Sequence, residues 1–408
     1  MSEQLHTPLT GVRVVELGNY IAAPTAGRLL ADFGADVIKI ERPRTGDELR
    51  RWRLYEGDTS MLYRTINRGK RSLVADLREE EGRAIVLDLL RDADVLLENF
   101  RPGTLEKWGL TPEALEEINP RLVVARISAF GQSGPLSARP GFAAVAEAYG
   151  GFRELVGEPG RPPSRTGFSI GDTIAGIYAA FGVVMSLLDR ERRGAEAASL
   201  ADRVVDVALN EAMLSVTESL VPDWGAYGVR RERTGGRMQG IAPSNAYMCA
   251  DGKSIVVAGN GDGIYRRFME IIGRPDLGED PGLQSNEGRW ESRELLDAAI
   301  GAWTATLTSA EALERLDGAG VPSGPIYTAE DVVADEQYAA RDMIQRFDVD
   351  TGAGVKKDVG FPGIVPVFGG RSLPIRSVGP DLGEHTREIL TELGWTAERI
   401  DAYEEAMR

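Results

Sequence analysis

Thr166 to Arg190 reads TGFSIGDTIAGIYAAFGVVMSLLDR and sets one carboxylate, Asp172, at the mouth of a run that stays apolar or small from Ile174 to Leu188. A carboxylate at a helix N-terminus is kept ionised by the dipole and the free backbone N–H groups, and an ionised carboxylate is a usable nucleophile. Asp before an apolar run is also an ordinary N-cap, so the residue types alone leave both roles open. The run is predicted to be a buried helix. Gly176, Ala179, Ala180, Gly182 and Val183 form a small-residue stripe that another backbone can approach closely, while Ile177, Phe181, Met185 and Leu188 are expected to fill a core.

Other chemistries are poorly supplied. The only histidines, His6 and His385, lie near the two ends, which argues against a histidine-ligated metal site or a Ser-His-Asp triad, and no metal is expected. A single cysteine, Cys249, excludes an intrachain disulfide and fits a reducing compartment. The formal net charge of −16 disfavours nucleic-acid and anionic-membrane partners. The opening MSEQLHTPLTG lacks a signal-peptide pattern, and no stretch reaches about 18 apolar residues, so a cytoplasmic protein with no membrane span is expected. Against this acidity, Lys39, Arg42, Arg44, Arg50, Arg51 and Arg53 face only Glu41, Asp47 and Glu48, and Arg64, Arg68, Lys70 and Arg71 follow with no acid between them. Such an excess suits a phosphate-bearing ligand; a solvated face that balances acidic neighbours is the alternative.

The elements that must position these groups alternate. Residues 12–17 (VRVVEL), 36–41 (DVIKIE), 94–98 (DVLLE) and 122–128 (LVVARIS) are predicted strands, and 24–33, with Pro24 at its start, and 80–91 are predicted helices. That pattern implies a parallel, helix-covered sheet. The first turn, LGNYIAAPTAG, lacks G-x-G-x-x-G, and Tyr247 stands where a P-loop ending at Gly252–Ser254 needs its first glycine, so neither a dinucleotide nor an ATP site is supported. Residues 199–220 are predicted to continue helical. A polar linker with Pro222, Gly225 and Gly228 follows, then a loop containing Gly235, Gly236 and Gly240 that is suited to a lid. A strand at 254–258, the turn GNGDG, and helices at 264–272, 290–302 and 309–317 come next, and a terminal part with few strong strands closes on a helix at 384–393. The punctuation divides the chain into 1–220, a linker and small domain at 221–325, and a return to the first domain at 326–408.

Taken in order, GVRVVEL with Pro24, LADFGADVIKIERPRTGD, NRGKRSLVADL, DVLLENFRPGTLEKWGL, ISAFGQSGP, GDTIAGIYAAFGVVMSLLDRERRG, VPSGPI and PDLGEHTREIL cover nearly the whole chain and resemble the class III CoA-transferase family, which also contains acyl-CoA racemases. The resemblance implies a Rossmann-like large domain with a parallel sheet, built from both ends of the chain, and a smaller inserted α/β domain. It also implies an interlocked homodimer. It makes Asp172 the nucleophile through which CoA moves from an acyl-CoA donor to a small free carboxylic acid, with coenzyme A or acyl-CoA as substrate and no tightly bound cofactor. It places CoA contacts at Arg42, Lys70, Arg71, Asn99, Phe100 and Lys107, the substrate pocket at Asn19 and Tyr20, and the lid at Gly235 to Gly240. Phe142, Tyr149 and Met238 are further candidates for lining residues.

Three departures qualify the resemblance. Phe142 stands where the racemase branch has histidine, which disfavours α-proton exchange by a His/Asp pair. Ala143 replaces a position usually acidic in the transferases, and Glu147, one turn later, is the candidate substitute if the segment is helical. Ile21 corresponds to the active-site glutamine of formyl-CoA:oxalate transferases, pointing away from oxalate as acceptor. An acyl-CoA racemase or epimerase and a catalytically silent CoA-binding protein remain the rival readings.

Overall fold

The computed structural model describes residues 7–193 and 199–407. Six strands form one parallel sheet: β1 (Arg13–Glu16), β2 (Asp36–Glu41), β3 (Arg71–Val74), β4 (Val95–Glu98), β5 (Val123–Ser128) and β6 (Val204–Ala208), in spatial order 3-2-1-4-5-6. Register pairs Val14 with Val37 on one side and with Val95 on the other, so β1 and β4 are the neighbours at which strand order reverses. The near-continuous apolar strands follow from burial on both faces. Val15, Leu96 and Val124 point into one core with α2 (Glu80–Arg91), and Val14, Val95, Val123 and Ala125 into another with α1 (Ala22–Asp32).

The second face also carries α3 (Ala143–Tyr149), α4 (Ile170–Arg193) and α5 (Leu209–Ser215). α4 lies against α1 through the small-residue stripe anticipated above. A Cβ at Gly176 would stand 2.7 Å from the Ala22 carbonyl oxygen and 2.8 Å from Thr25 Cβ, and one at Gly182 would meet Val205 at 2.5 Å. The opposite stripe does not fill a core: Ile177, Phe181, Met185 and Leu188 are exposed, Phe181 at 58%. By length and composition α4 is also sufficient to cross a membrane, which the count of uninterrupted apolar residues missed.

Contacts divide the chain into two compact units, Met1–Phe152 with Thr166–Thr217 and Glu336–Arg408, and Arg153–Arg165 with Glu218–Asp335. The second unit has its own three-stranded antiparallel sheet, with β8 (Ser254–Ala258) between β7 (Ser244–Met248) and β9 (Ser323–Pro325). Around it pack α6 (Asp262–Ile271), α7 (Arg293–Thr304) and α8 (Ser309–Gly318), the last begun by a Thr308/Glu311 capping box.

Several expectations are corrected. Residues 204–208 (VVDVA) are the edge strand β6 rather than helix, because pairing with β5 satisfies their backbone and β-branched side chains suit a pleated surface. The expected linker contains a helix, Leu220–Tyr227, with Pro222 in its first turn, where no intrahelical N–H bond is lost. The terminal part holds the antiparallel pair β10 (Ile344–Asp350) and β11 (Val355–Pro362), and after α9 (Thr386–Glu392) a final helix, α10 (Ala397–Met407).

Replacing Gly176 by alanine drives a methyl group into the α1 backbone and is expected to destabilise the first unit by about 1–3 kcal/mol. Urea unfolding followed by far-UV circular dichroism measures it, and an unchanged midpoint would contradict the close α1–α4 packing.

Candidate functional site

In an open parallel sheet the crevice for ligands lies beyond the carboxyl ends of the strands where strand order reverses. Here that crevice is bounded by the turns that follow β1 and β4. The Gly18–Tyr20 turn after β1 is held peptide by peptide. Lys39 Nζ donates to the Gly18 carbonyl at 2.7 Å, and Asn99 accepts from Asn19 N–H at 2.9 Å and donates back to its carbonyl at 2.7 Å. Asp47 Oδ1 accepts from Tyr20 N–H at 3.1 Å. Tyr20 is thereby kept in the left-handed region, at φ 64°, which an aromatic residue seldom adopts. Its ring packs on Trp52 at 5.1 Å and on Phe142 at 5.8 Å, both exposed, to form an aromatic wall beside the crevice. Burial, assisted by Glu48, raises the Tyr20 phenol above its ordinary value and keeps the hydroxyl protonated.

Beneath the turn lies a fully enclosed cage of charge. Lys39 contacts Asp47 at 2.9 Å and Glu16 at 3.1 Å, and Lys70 contacts Glu16 at 2.7 Å. Burial pulls Lys39 down, but Asp47 and Glu16 outweigh it and hold the ammonium above the usual lysine value. Lys70, where burial wins over Glu16, is lowered to about 8. The Lys70 ammonium also donates to the Pro24 carbonyl at 2.8 Å and to Asn67 Oδ1 at 2.9 Å, with no exposed surface. The structure thus gives it the task of tying β1, α1 and β3 together, not an open face for a phosphate.

The early basic excess is therefore largely internal. Lys39, Arg50, Arg64, Arg68 and Lys70 are buried, and Arg71 forks onto Asp36 at 2.9 and 2.6 Å while reaching Glu388 and Glu392 of α9. Arg42, Arg44, Arg51 and Arg53 remain exposed, all on the loop after β2, with Arg42 paired to Glu48 at 2.7 Å. Of the ten cations, this loop offers the surface that can meet an anionic ligand.

After β4, Asn99 is committed to the clasp with Asn19, Phe100 N–H donates to Glu98 at 2.6 Å, and the Phe100 ring stands edge-on to Trp108 at 5.0 Å. Lys107 is exposed at the end of the short helix Thr104–Lys107. Glu98 is fully buried against Arg126 at 2.7 Å; burial pushes its carboxyl up to about 7 although Arg126 opposes the shift.

Asp172 is not itself the N-cap but lies within the first turn of α4, partly buried. A Cβ at the preceding Gly171 would meet Ala143 at 3.3–3.5 Å, and Gly176 abuts Ala22, so the opening turns of α4, which carry Asp172, pack against the start of α3 and the start of α1. Residues 143–149 are helical as Glu147 required, and Glu147 is completely enclosed, one turn along from Ala143. Tyr149 accepts from Arg139 at 2.6 Å. Gly235, Gly236 and Gly240 belong to the second unit. There Arg237 pairs with Asp297 at 2.6 Å and Asn286 holds the Gly240 carbonyl at 2.7 Å, while Met238 is exposed. Trp52 and Arg126 were not anticipated as parts of the site, and Glu41 and Asp47 were read only as acids facing the basic stretch.

Glu41 stands beside the cage and receives Arg50 at 2.9 and 2.8 Å, Tyr63 at 2.9 Å, Ser72 at 2.6 Å and the Asp47 N–H at 3.0 Å. Burial acts to raise its carboxyl, but Arg50 and these donors bring it down to about 2. A depressed carboxylate stabilises the fold above its unfolded value and loses that contribution as pH falls through its folded value. Stability is therefore expected to drop by about 3 kcal/mol between pH 4.5 and 2 from this group, and Glu41→Gln to flatten that part of the profile. Urea midpoints across this range would show it; identical slopes in both proteins would count against it.

Residues 9–386 match the model of CoA-transferase family III. The chain is 41% identical over 395 residues to a succinyl-CoA–D-citramalate CoA-transferase of Chloroflexus aurantiacus, covering 96% of this chain and 95% of that one. To the β subunit of a succinyl-CoA–L-malate CoA-transferase of the same organism it is 36% identical over 399 residues, with 97% and 96% covered. Among solved structures it is similar to a CAIB/BAIF family protein from Brucella suis, with a TM-score of 0.80, 34% identity, and 95% and 100% of the two chains covered.

Proposed function

Since the chain belongs to CoA-transferase family III and is a transferase of acyl-CoA substrates, we propose that it moves CoA from an acyl-CoA donor to a free carboxylic acid through covalent intermediates on Asp172. The observation that carries the reading is a carboxylate in the first turn of a 24-residue helix whose opening turns pack against the starts of α3 and α1, the latter following β1 at the reversal of strand order. The dipole and the first-turn N–H groups favour its ionised, nucleophilic form. Asp172 attacks the donor thioester carbonyl, forming a mixed anhydride as the C–S bond breaks and CoA leaves as thiolate. The thiolate attacks the aspartyl carbonyl, releasing the donor acid and leaving an aspartyl-CoA thioester. The acceptor carboxylate attacks that thioester in turn, and the thiolate expelled takes the acceptor acyl group, freeing Asp172. Thioester energy is conserved, so no ATP is consumed, and water must be kept from both activated intermediates.

Succinyl-CoA as donor and a hydroxylated or branched dicarboxylic acid as acceptor fit best, because the two relatives described above carry names of that type at 41% and 36% identity. Ile21, 4% exposed, offers no amide to an oxalate. Intact-protein mass spectrometry after mixing with succinyl-, acetyl- or formyl-CoA and then hydroxylamine tests the route. A hydroxamate on Asp172 is expected with succinyl-CoA in the wild type and not in Asp172→Asn, whose turnover should fall by at least about a thousandfold. No adduct with any donor, alongside α-proton exchange of a bound acyl-CoA, would replace the transferase mechanism with a racemase one.

A homodimer completes the proposal. Ile177, Phe181, Val184, Met185 and Leu188 recur at helical spacing on the outer side of α4, an apolar strip that is larger than scattered surface residues make and that a second copy would cover. Light scattering should return about twice 44.2 kDa for the wild type. Phe181→Asp should shift that mass toward one chain; a wild type that is monomeric at micromolar concentration removes this part of the reading.

A further inference from the structure

The wall of the crevice formed after β4 is a closed ring spanning residues 98–108. Glu98 ends the strand, and its Oε2 accepts the Phe100 N–H at 2.6 Å. At the far end, Glu106 lies on the helix Thr104–Lys107, and Trp108 returns to meet the Phe100 ring. One side chain from the next strand joins the two ends. Arg126 of β5 donates through Nε to Glu98 Oε1 at 2.7 Å, and through Nη1 and Nη2 to Glu106 at 2.8 and 3.4 Å.

We infer that Arg126 is a positioning residue for acyl-CoA binding: by bridging Glu98 and Glu106 it fixes the 98–108 loop at the point where strand order reverses. The assignment rests on the transferase reading above. It follows from geometry on the protein side. The Asn19–Asn99 clasp anchors this loop to the turn after β1, and Leu105 seats it in the core with α2, but neither contact fixes the polar edge that carries Glu106 and Lys107. The planar guanidinium, bonded to both carboxylates, supplies that polar anchor. The Arg126 side chain is 12% exposed and that of Glu98 is enclosed, so the inner half of the bridge is little screened by salt. The outer half, at a one-third-exposed Glu106, can be removed without leaving a buried charge alone.

That asymmetry decides the variants. Arg126→Ala strands Glu98 and is expected to fold poorly. Arg126→Lys keeps a cation for Glu98 but loses the fork, and Glu106→Gln removes only the outer carboxylate. Thermal melts, calorimetric titration with CoA, and steady-state kinetics with succinyl-CoA and an acceptor acid are to be run on both, beside the wild type. Both should fold, raise KM for succinyl-CoA and Kd for CoA by about tenfold, and leave kcat at saturation within about twofold. Combining them should add little, because each breaks the same bridge. A residue that only supports the fold would lower the melting temperature and the active fraction while leaving KM and Kd at wild-type values; that result overturns the assignment. A wild type that binds no CoA overturns the transferase reading and this assignment with it, whereas normal wild-type binding with normal variants removes the assignment alone.

Discussion

The enclosed contact of Lys39 and Lys70 with Glu16 and Asp47 is the constraint on which the rest of this site depends. Charges removed from water are tolerated only when paired and hydrogen-bonded on every side, and here each partner comes from a different piece of chain. Glu16 ends β1, Lys39 lies on β2, Asp47 follows in the loop after β2, and Lys70 precedes β3. A shift of any of these strands would leave a bare charge in the interior. The cage therefore fixes β1, β2 and β3 relative to one another, and with them the turn after β1 that bounds the crevice.

Two side chains of the cage reach out of it into the site. Lys39 takes the Gly18 carbonyl and Asp47 takes the Tyr20 N–H, so the groups that satisfy the buried charge also set the strained backbone of the turn. Strain of this kind persists only where surrounding bonds over-determine the conformation. Its product is the aromatic wall of Tyr20, Trp52 and Phe142, whose members are far apart in the chain. An apolar wall of this kind suits the water exclusion that the proposed route through acyl intermediates requires.

Helix α4 divides its labour by face. Glycine and alanine on one side let it sink against α1 until backbone meets backbone, which brings its opening turns up to the start of α1. Large apolar residues on the other side remain uncovered within a single chain. One amphipathic pattern, small against large rather than polar against apolar, thus serves both the placement of a carboxylate and an outward-facing apolar strip.

The amino-acid sequence by itself determined the alternating strands and helices, the small-residue stripe on α4, and Asp172 at its mouth, because period, turn chemistry and capping are local properties of the chain. The α/β class was legible for the same reason, and the family through the ordered motifs that resemble it. Which cations face a ligand was not. Lys70 and Arg42 belong to the same basic excess, yet Lys70 is enclosed by Glu16, Asn67 and a carbonyl while Arg42 is exposed. Only tertiary structure decided this, since burial depends on partners far along the chain, as with Lys70 and Glu16, 54 residues apart. The same holds for β6, whose strand state comes from pairing with β5, and for the exposed face of α4, where apolar periodicity marks a surface to be covered without saying by what. Local sequence sets what each segment can be; the long-range pairing of charge, backbone and apolar surface selects where its side chains point.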